Sequence, residues 1–202
     1  APERKFVSAS NLATSLRQMV GHLRNPRLVA TYAVGFGVLF NFIATFTYLS
    51  FHLAAPPFNR SPAFLGSVFV VYLAGSAASL WLGRAIALFG RRNFVLCVLA
   101  VWAAGMLFSL LPSVTAIVFT LVIASTCGIL TQASSTSFVA ITAKAGTSAA
   151  VGLYVMSFYV GGTFGGWLPA LAYDAGGWPY SLALVLGMLS IMAVIVARFW
   201  KQ

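Results

Sequence analysis

Asn41, Thr45, Tyr48 and His52 recur at i, i+4, i+7 and i+11, which puts four hydrogen-bonding side chains on one stripe of an otherwise apolar helical segment. Ser125, Gly128, Gln132 and Ser135 form a second stripe of the same kind. Amides and hydroxyls grip and release a solute through hydrogen bonds. Catalysis asks for more, and the sequence does not supply it. The only acids are Glu3, near the amino terminus, and Asp174, between apolar stretches. Neither Gly75-Ser76 nor Gly146-Thr147-Ser148 completes a Gly-x-Ser-x-Gly turn, and His52 is the only histidine within an apolar stretch, so an intramembrane hydrolase or transferase lacks its nucleophile and base. Cys97 and Cys127 have no CxxC partner and no adjacent histidine, so no metal set, disulfide framework or cofactor is implied. Tyr154 and Tyr159 can stack on an apolar or cationic solute, or serve as interfacial anchors.

The elements that must carry these stripes are membrane helices. Of 202 residues, 60% are hydrophobic and 7% charged, against the roughly one quarter charged in a soluble domain. Six uncharged stretches, 28–53, 63–82, 94–111, 114–143, 147–173 and 180–197, each approach the roughly 20 residues needed to cross a ~30 Å hydrocarbon layer. Solid apolar runs such as 68–74 and 94–101 exclude a transmembrane barrel, whose strands alternate. The expected organisation is a linker at 1–27, a six-span bundle at 28–199 and a tail at 200–202. A polar stripe does not belong against lipid, so each stripe either lines a cavity or bonds to a neighbouring helix, at about 0.6 to 2 kcal/mol per bond.

Basic residues fix the orientation. Arg4, Lys5, Arg17, Arg24, Arg27, Arg84, Arg91, Arg92, Lys144, Arg198 and Lys201 fall on one side of the spans and only Arg60 on the other, eleven against one, which predicts both termini in the cytoplasm. The net charge of +10 is therefore a topology signal, and nucleic acid is not an expected partner. Before the first span, Leu12, Leu16, Met19, Val20 and Leu23 recur at helical spacing, with Ser10 or Asn11 as a cap and Asn25-Pro26 as a stop; this predicts an amphipathic helix lying on the lipid surface. Pro56-Pro57, Pro62, Leu111-Pro112-Ser113 and Gly176-Gly177-Trp178-Pro179 separate spans. The opening Ala1-Pro2-Glu3-Arg4-Lys5, with no methionine, suggests a piece of a longer chain.

Span five carries Gly161, Gly162, Gly165 and Gly166, two interleaved small-xxx-small registers suited to close helix approach, followed by Pro169, which frees a carbonyl and permits a kink or hinge. Tyr72-Leu73-Ala74-Gly75 in span two is echoed by Tyr159-Val160-Gly161-Gly162 in span five, and Trp81-Leu82 by Trp167-Leu168. Two three-span groups of opposite orientation would give this echo.

Gly83-Arg84-Ala85-Ile86-Ala87-Leu88-Phe89-Gly90-Arg91-Arg92, between spans two and three, resembles the cytoplasmic loop signature of the major facilitator superfamily. His22 to Leu28 before a span, Ala55-Pro56-Pro57-Phe58 after it and the glycine-rich Gly161 to Pro169 are similar to the carboxy-terminal half of an efflux-type facilitator of drugs or sugars. One departure stands at Ala87, where that family usually has an acid; its loss weakens the charge relay that latches the cytoplasmic gate.

The resemblance implies an all-α membrane protein. Its six transmembrane helices would form two inverted three-helix repeats, the second half of a twelve-span carrier in a bacterial inner membrane. Its substrate, a small solute, would sit between this half and an absent amino-terminal six-helix half, with Asn41, Thr45, Tyr48, Gln132, Ser135 and Tyr159 as cavity candidates. Export by alternating access, driven by protons, is the expected function. With no acid inside a span, the proton falls to the other half or to His52. A free-standing six-span scaffold or a homodimeric carrier is the alternative.

Overall fold

The computed structural model describes residues 12–200 apart from Lys144, with side chains from Arg17 onward. Arg4, Lys5, Ser10, Asn11, Lys144 and Lys201 therefore lie outside the described residues. The rest is helical: α1 (Leu12–Leu23), α2 (Pro26–Ala54), α3 (Pro62–Ser67), α4 (Tyr72–Ser79), α5 (Leu82–Phe89), α6 (Arg91–Leu107), α7 (Val114–Thr142), α8 (Thr147–Gly176) and α9 (Trp178–Phe199). No strand occurs among the described residues.

Five elements are long and apolar enough to cross a membrane: α2, the rod Pro62–Ser79, α6 extended to Leu110, α7 and α9. The sixth expected span is α8, which has the length at 30 residues but is diluted by its glycines and tyrosines. Span two is the least regular. α3 passes into α4 through a 3-10 turn at Val68–Val71, and a further turn at Leu80-Trp81 precedes α5. β-branched Val68, Val70 and Val71 between Gly66 and Gly75 are poor helix formers, and the 3-10 turn keeps their backbone groups bonded inside the element. Asn25, followed by Pro26 at the first helical position, starts α2; its Oδ1 accepts from the Arg27 amide at 3.0 Å.

The packing of α2 and α7 on the other spans follows an exchange rule. α2, the first span, packs on α8 and α9, the fifth and sixth; α7, the fourth, packs on α4 and α6, in the second and third. α2 also meets α7, and α6 meets α9, contacts that the exchange maps onto themselves. At one mirrored point, Gly161 of α8 lies against the backbone of Phe36, ten residues into α2, and Gly75 of α4 lies against the backbone of Ser125, eleven residues into α7. Because α2 and α7 run in opposite directions across the bundle, the two three-helix units are inverted repeats. The faint sequence echo is thus a packing rule in which span two rests a glycine on span four and span five rests one on span one.

The main core joins Trp102, Met106, Ile117, Leu121, Trp178, Val185, Leu189 and Met192 from α6, α7 and α9 to Val38, Ala44 and Leu49 of α2. A second cluster, Leu28, Tyr32, Val139, Ala143, Ala150 and Tyr154, closes the end of α2 against α7 and α8. At the opposite end Trp178 Nε1 donates to Ser109 Oγ at 2.8 Å, fastening the start of α9 to the end of α6. α1 rests on the same end as the second cluster: His22 Nε2 lies 3.1 Å from the Gly146 carbonyl oxygen, and Val20 and Leu23 remain exposed.

Candidate functional site

The first polar stripe turns inward. Asn41 and Thr45 are fully buried and Tyr48 nearly so. Asn41 Nδ2 reaches Met192 Sδ of α9 at 3.4 Å, Thr45 Oγ1 faces Met106 Sδ of α6, and Tyr48 donates to the Gly166 carbonyl of α8. Asn41 Oδ1 has no partner among the described residues. The stripe therefore ties α2 to three neighbours within the bundle. His52 is half-buried, its ring edge-on to Phe58 at 5.3 Å. On the second stripe Ser135 is buried, with its Oγ donating to the Thr131 carbonyl at 2.7 Å, while Gln132 is half-buried.

Tyr159 is placed differently. It is 65% exposed on α8, and the same side of that helix shows Thr163, Phe164 and Trp167. Phe164 stands 6.0 Å from Trp167 and 5.8 Å from Phe36 of α2, so an aromatic row runs along the α2/α8 seam. Phe36 and Phe164 were not singled out from the sequence, and Trp167 only as part of the repeat echo. Phe164 and Trp167 lie five and eight residues after Tyr159, but apolar residues on an apolar helix carry no contrast.

The glycines of α8 separate into two sets. A Cβ at Gly161 would strike the Phe36 carbonyl and one at Gly165 the Phe40 backbone, whereas at Gly162 it would meet the Leu39 side chain and at Gly166 only Ile43 Cγ2 at 3.8 Å. Gly161 and Gly165 are the close-approach register. Pro169 is buried inside the continuous helix, and its carbonyl accepts from Ser181 Oγ at 3.0 Å.

In the loop motif each residue has a distinct placement. Gly90 has φ 72° and ψ 145°, a region open to glycine and strained for other residues; its amide closes α5 on Ile86 and its carbonyl opens α6 on Phe94. Gly83 and Arg84 are exposed, and a Cβ on Gly83 would meet nothing within the chain. Arg91 reaches across to α7, donating from Nη1 to the Ser134 carbonyl at 2.8 Å and to Ser137 Oγ, with its guanidinium 5.8 Å from the Phe138 ring. Arg92 is half-buried, with Nε unpartnered among the described residues.

Arg84 and Arg91 carry the same charge, so their alanine variants separate geometry from charge. Arg91→Ala should destabilise the protein by about 2–3 kcal/mol through loss of charged hydrogen bonds and the ring contact, while Arg84→Ala should cost less than about 0.5 kcal/mol. Equal losses in a denaturant titration would mean that only the charge matters.

Comparison with known proteins agrees with this architecture. Residues 28–202 match the family described as Major Facilitator Superfamily. An uncharacterized transporter of Buchnera aphidicola subsp. Schizaphis graminum is 30% identical over 155 residues, covering 75% of this chain and 38% of the relative. The uncharacterized MFS-type transporter YybF of Bacillus subtilis is 26% identical over 196 residues, covering 96% of this chain and 47% of the relative. The chain spans less than half the length of these relatives. Six-span architecture, inverted repeats and a family match over nearly its whole length together show that the chain belongs to the major facilitator superfamily, a family of membrane transporters.

Proposed function

We propose that this chain is one six-helix bundle of a secondary active transporter that exports a small amphipathic solute by alternating access against a second bundle, coupled to protons. Its arginine-bearing end lies in the cytoplasm of a bacterial cell, with α1 on the inner leaflet of the inner membrane. The observation that carries the reading is the uncovered face of α8. Tyr159, Thr163, Phe164 and Trp167, with Gly162 and Gly166, bring aromatic, hydroxyl and small residues to a face that also shows Met156 and Val160, whereas the outer faces of α6 and α9, with Val101 and Val194, show no aromatic row. Aliphatic faces suit lipid; a face of rings and hydroxyls suits a protein partner and a solute between the two.

Tyr159 is the residue of the candidate set best placed to touch such a solute, with Gln132 second; Asn41, Thr45, Tyr48 and Ser135 support the helices that carry them. Glu3 and Asp174 are the chain's only acids, and Asp174 is exposed at the bundle end opposite Arg91. A buried proton-carrying carboxylate therefore belongs to the partner bundle, with His52 as this chain's own candidate.

In inverted vesicles holding the complete transporter, an imposed proton gradient should drive solute uptake. Tyr159→Ala should raise KM roughly three- to tenfold, the loss of about 1 kcal/mol of stacking, at unchanged folded yield. Flux indifferent to the gradient removes proton coupling; an unchanged KM removes Tyr159 from the site.

A further inference from the structure

An apolar groove of about 600 Å³ runs between α2, α8 and α9 at the arginine-bearing end of the bundle. Val29, Ala33 and Phe36 of α2 form one wall and Met188, Ile191 and Ile195 of α9 the other. Each wall covers two helical turns, about 10 Å, or most of one leaflet of a ~30 Å hydrocarbon layer. Tyr32 also lines the groove; it is 5% exposed and its hydroxyl has no partner among the described residues.

The groove's mouth is basic. Leu23 of α1 lines the groove next in sequence to Arg24, and Ile195 lies three residues before Arg198 on the same side of α9, while Arg27, two residues before Val29, stands on the opposite side of α2. Arg24 and Arg198 are both exposed. Asp174, the one acid among the described residues, sits at the other end of the bundle. An apolar slot one leaflet deep under two cations matches one ligand chemistry, an acyl chain joined to an anionic headgroup. We propose that this groove is a binding site for an anionic phospholipid, with one acyl chain along α2 and α9 and the headgroup phosphate on Arg24 and Arg198. A neutral amphiphile would fill the slot but gain nothing from the mouth, and a second protein helix would not need the cations. Near a membrane surface each basic residue favours an anionic lipid by about fivefold.

The test is lipid retention by the purified protein. The detergent-solubilised complete transporter is given equal dioleoylphosphatidylglycerol and dioleoylphosphatidylcholine and washed, and bound lipid per transporter is counted by mass spectrometry. The expected result is about one phosphatidylglycerol per transporter, at least tenfold preferred, from both arginines acting. Replacing Arg24 and Arg198 together by Gln should abolish the preference. Ala33→Trp and Ile191→Trp, which fill the groove from different helices, should each remove bound lipid. Val194→Trp, on the outer face of α9, should not, and guards against a general effect of bulk. Equal retention of both lipids by the wild type overturns the proposal, as does undiminished retention in a groove-filled variant that elutes as folded protein.

Discussion

Leucine at Gly161 or Gly165 is expected to leave no folded protein, while leucine at Gly166 is expected to be tolerated. The added Cβ alone would occupy the space of the Phe36 carbonyl or the Phe40 backbone, and neither can rotate away. α2 and α8, helices of 29 and 30 residues, would have to separate. Separation also breaks the bond from Ser157 Oγ to the Tyr32 carbonyl at 2.8 Å and that from Tyr48 to Gly166. Overpacking by a few methylenes costs about 1–3 kcal/mol when side chains can shift; against fixed backbone the cost should exceed about 5 kcal/mol, comparable to a whole domain's stability. Gly162→Leu should fall between, because Leu39 is a side chain and can move. Folded yield by size-exclusion chromatography ranks the four, and equal yields for Gly161→Leu and Gly166→Leu would show that the helices are not held at this distance.

That ranking is where the sequence was ambiguous. Gly161-x-x-x-Gly165 and Gly162-x-x-x-Gly166 satisfy the same spacing, and spacing cannot say which register meets a backbone. The polar stripe has the same defect. A period of 3.6 shows that Asn41, Thr45 and Tyr48 share a face, but whether that face meets a cavity or α6, α8 and α9 depends on residues 61 to 151 positions away in the chain. The long spans were legible because an uncharged run of membrane length has few other fates. The 3-10 break in span two was not, since Val68 to Val71 read as plain apolar sequence. Arg91 was legible as a charge and illegible as a clasp, its partners lying more than 40 residues onward at Ser134 and Ser137. The inverted repeat was faintly visible as a Tyr-x-x-Gly echo and a Trp-Leu echo one residue out of step with each other, and that slip has a counterpart in space: the mirrored contacts pair Gly75 with Gly161, in the register of the Trp-Leu echo, not with Gly162.

Reconstituted alone in proteoliposomes, the chain is expected to insert with its arginine-bearing end on one side and to carry no saturable flux; together with the proposed second bundle it should carry flux. The six helices bury Asn41, Thr45, Tyr48 and Ser135 among themselves, so the bundle is expected to fold around the Asn41–Met192 and Trp178–Ser109 bonds. Exposed Tyr159, Phe164 and Trp167 nevertheless leave one wall of any passage unbuilt, and alternating access requires two walls that rock against each other. Asp174, the one acid among the described residues, is exposed in the last turns of α8, so the proton has no buried carboxylate to ride on in this bundle. A cysteine at position 159 gives the structural readout: it should react with an aqueous or lipid-soluble maleimide in the lone chain, and its labelling should fall severalfold when the second bundle is present, about as expected for a residue buried at an interface core. Saturable proton-linked flux by the lone chain would instead mean that two copies face each other as a homodimeric carrier, and would move the coupling role to His52. Unchanged labelling at 159 on co-expression would place the α8 face against lipid and remove the observation on which the two-bundle reading rests.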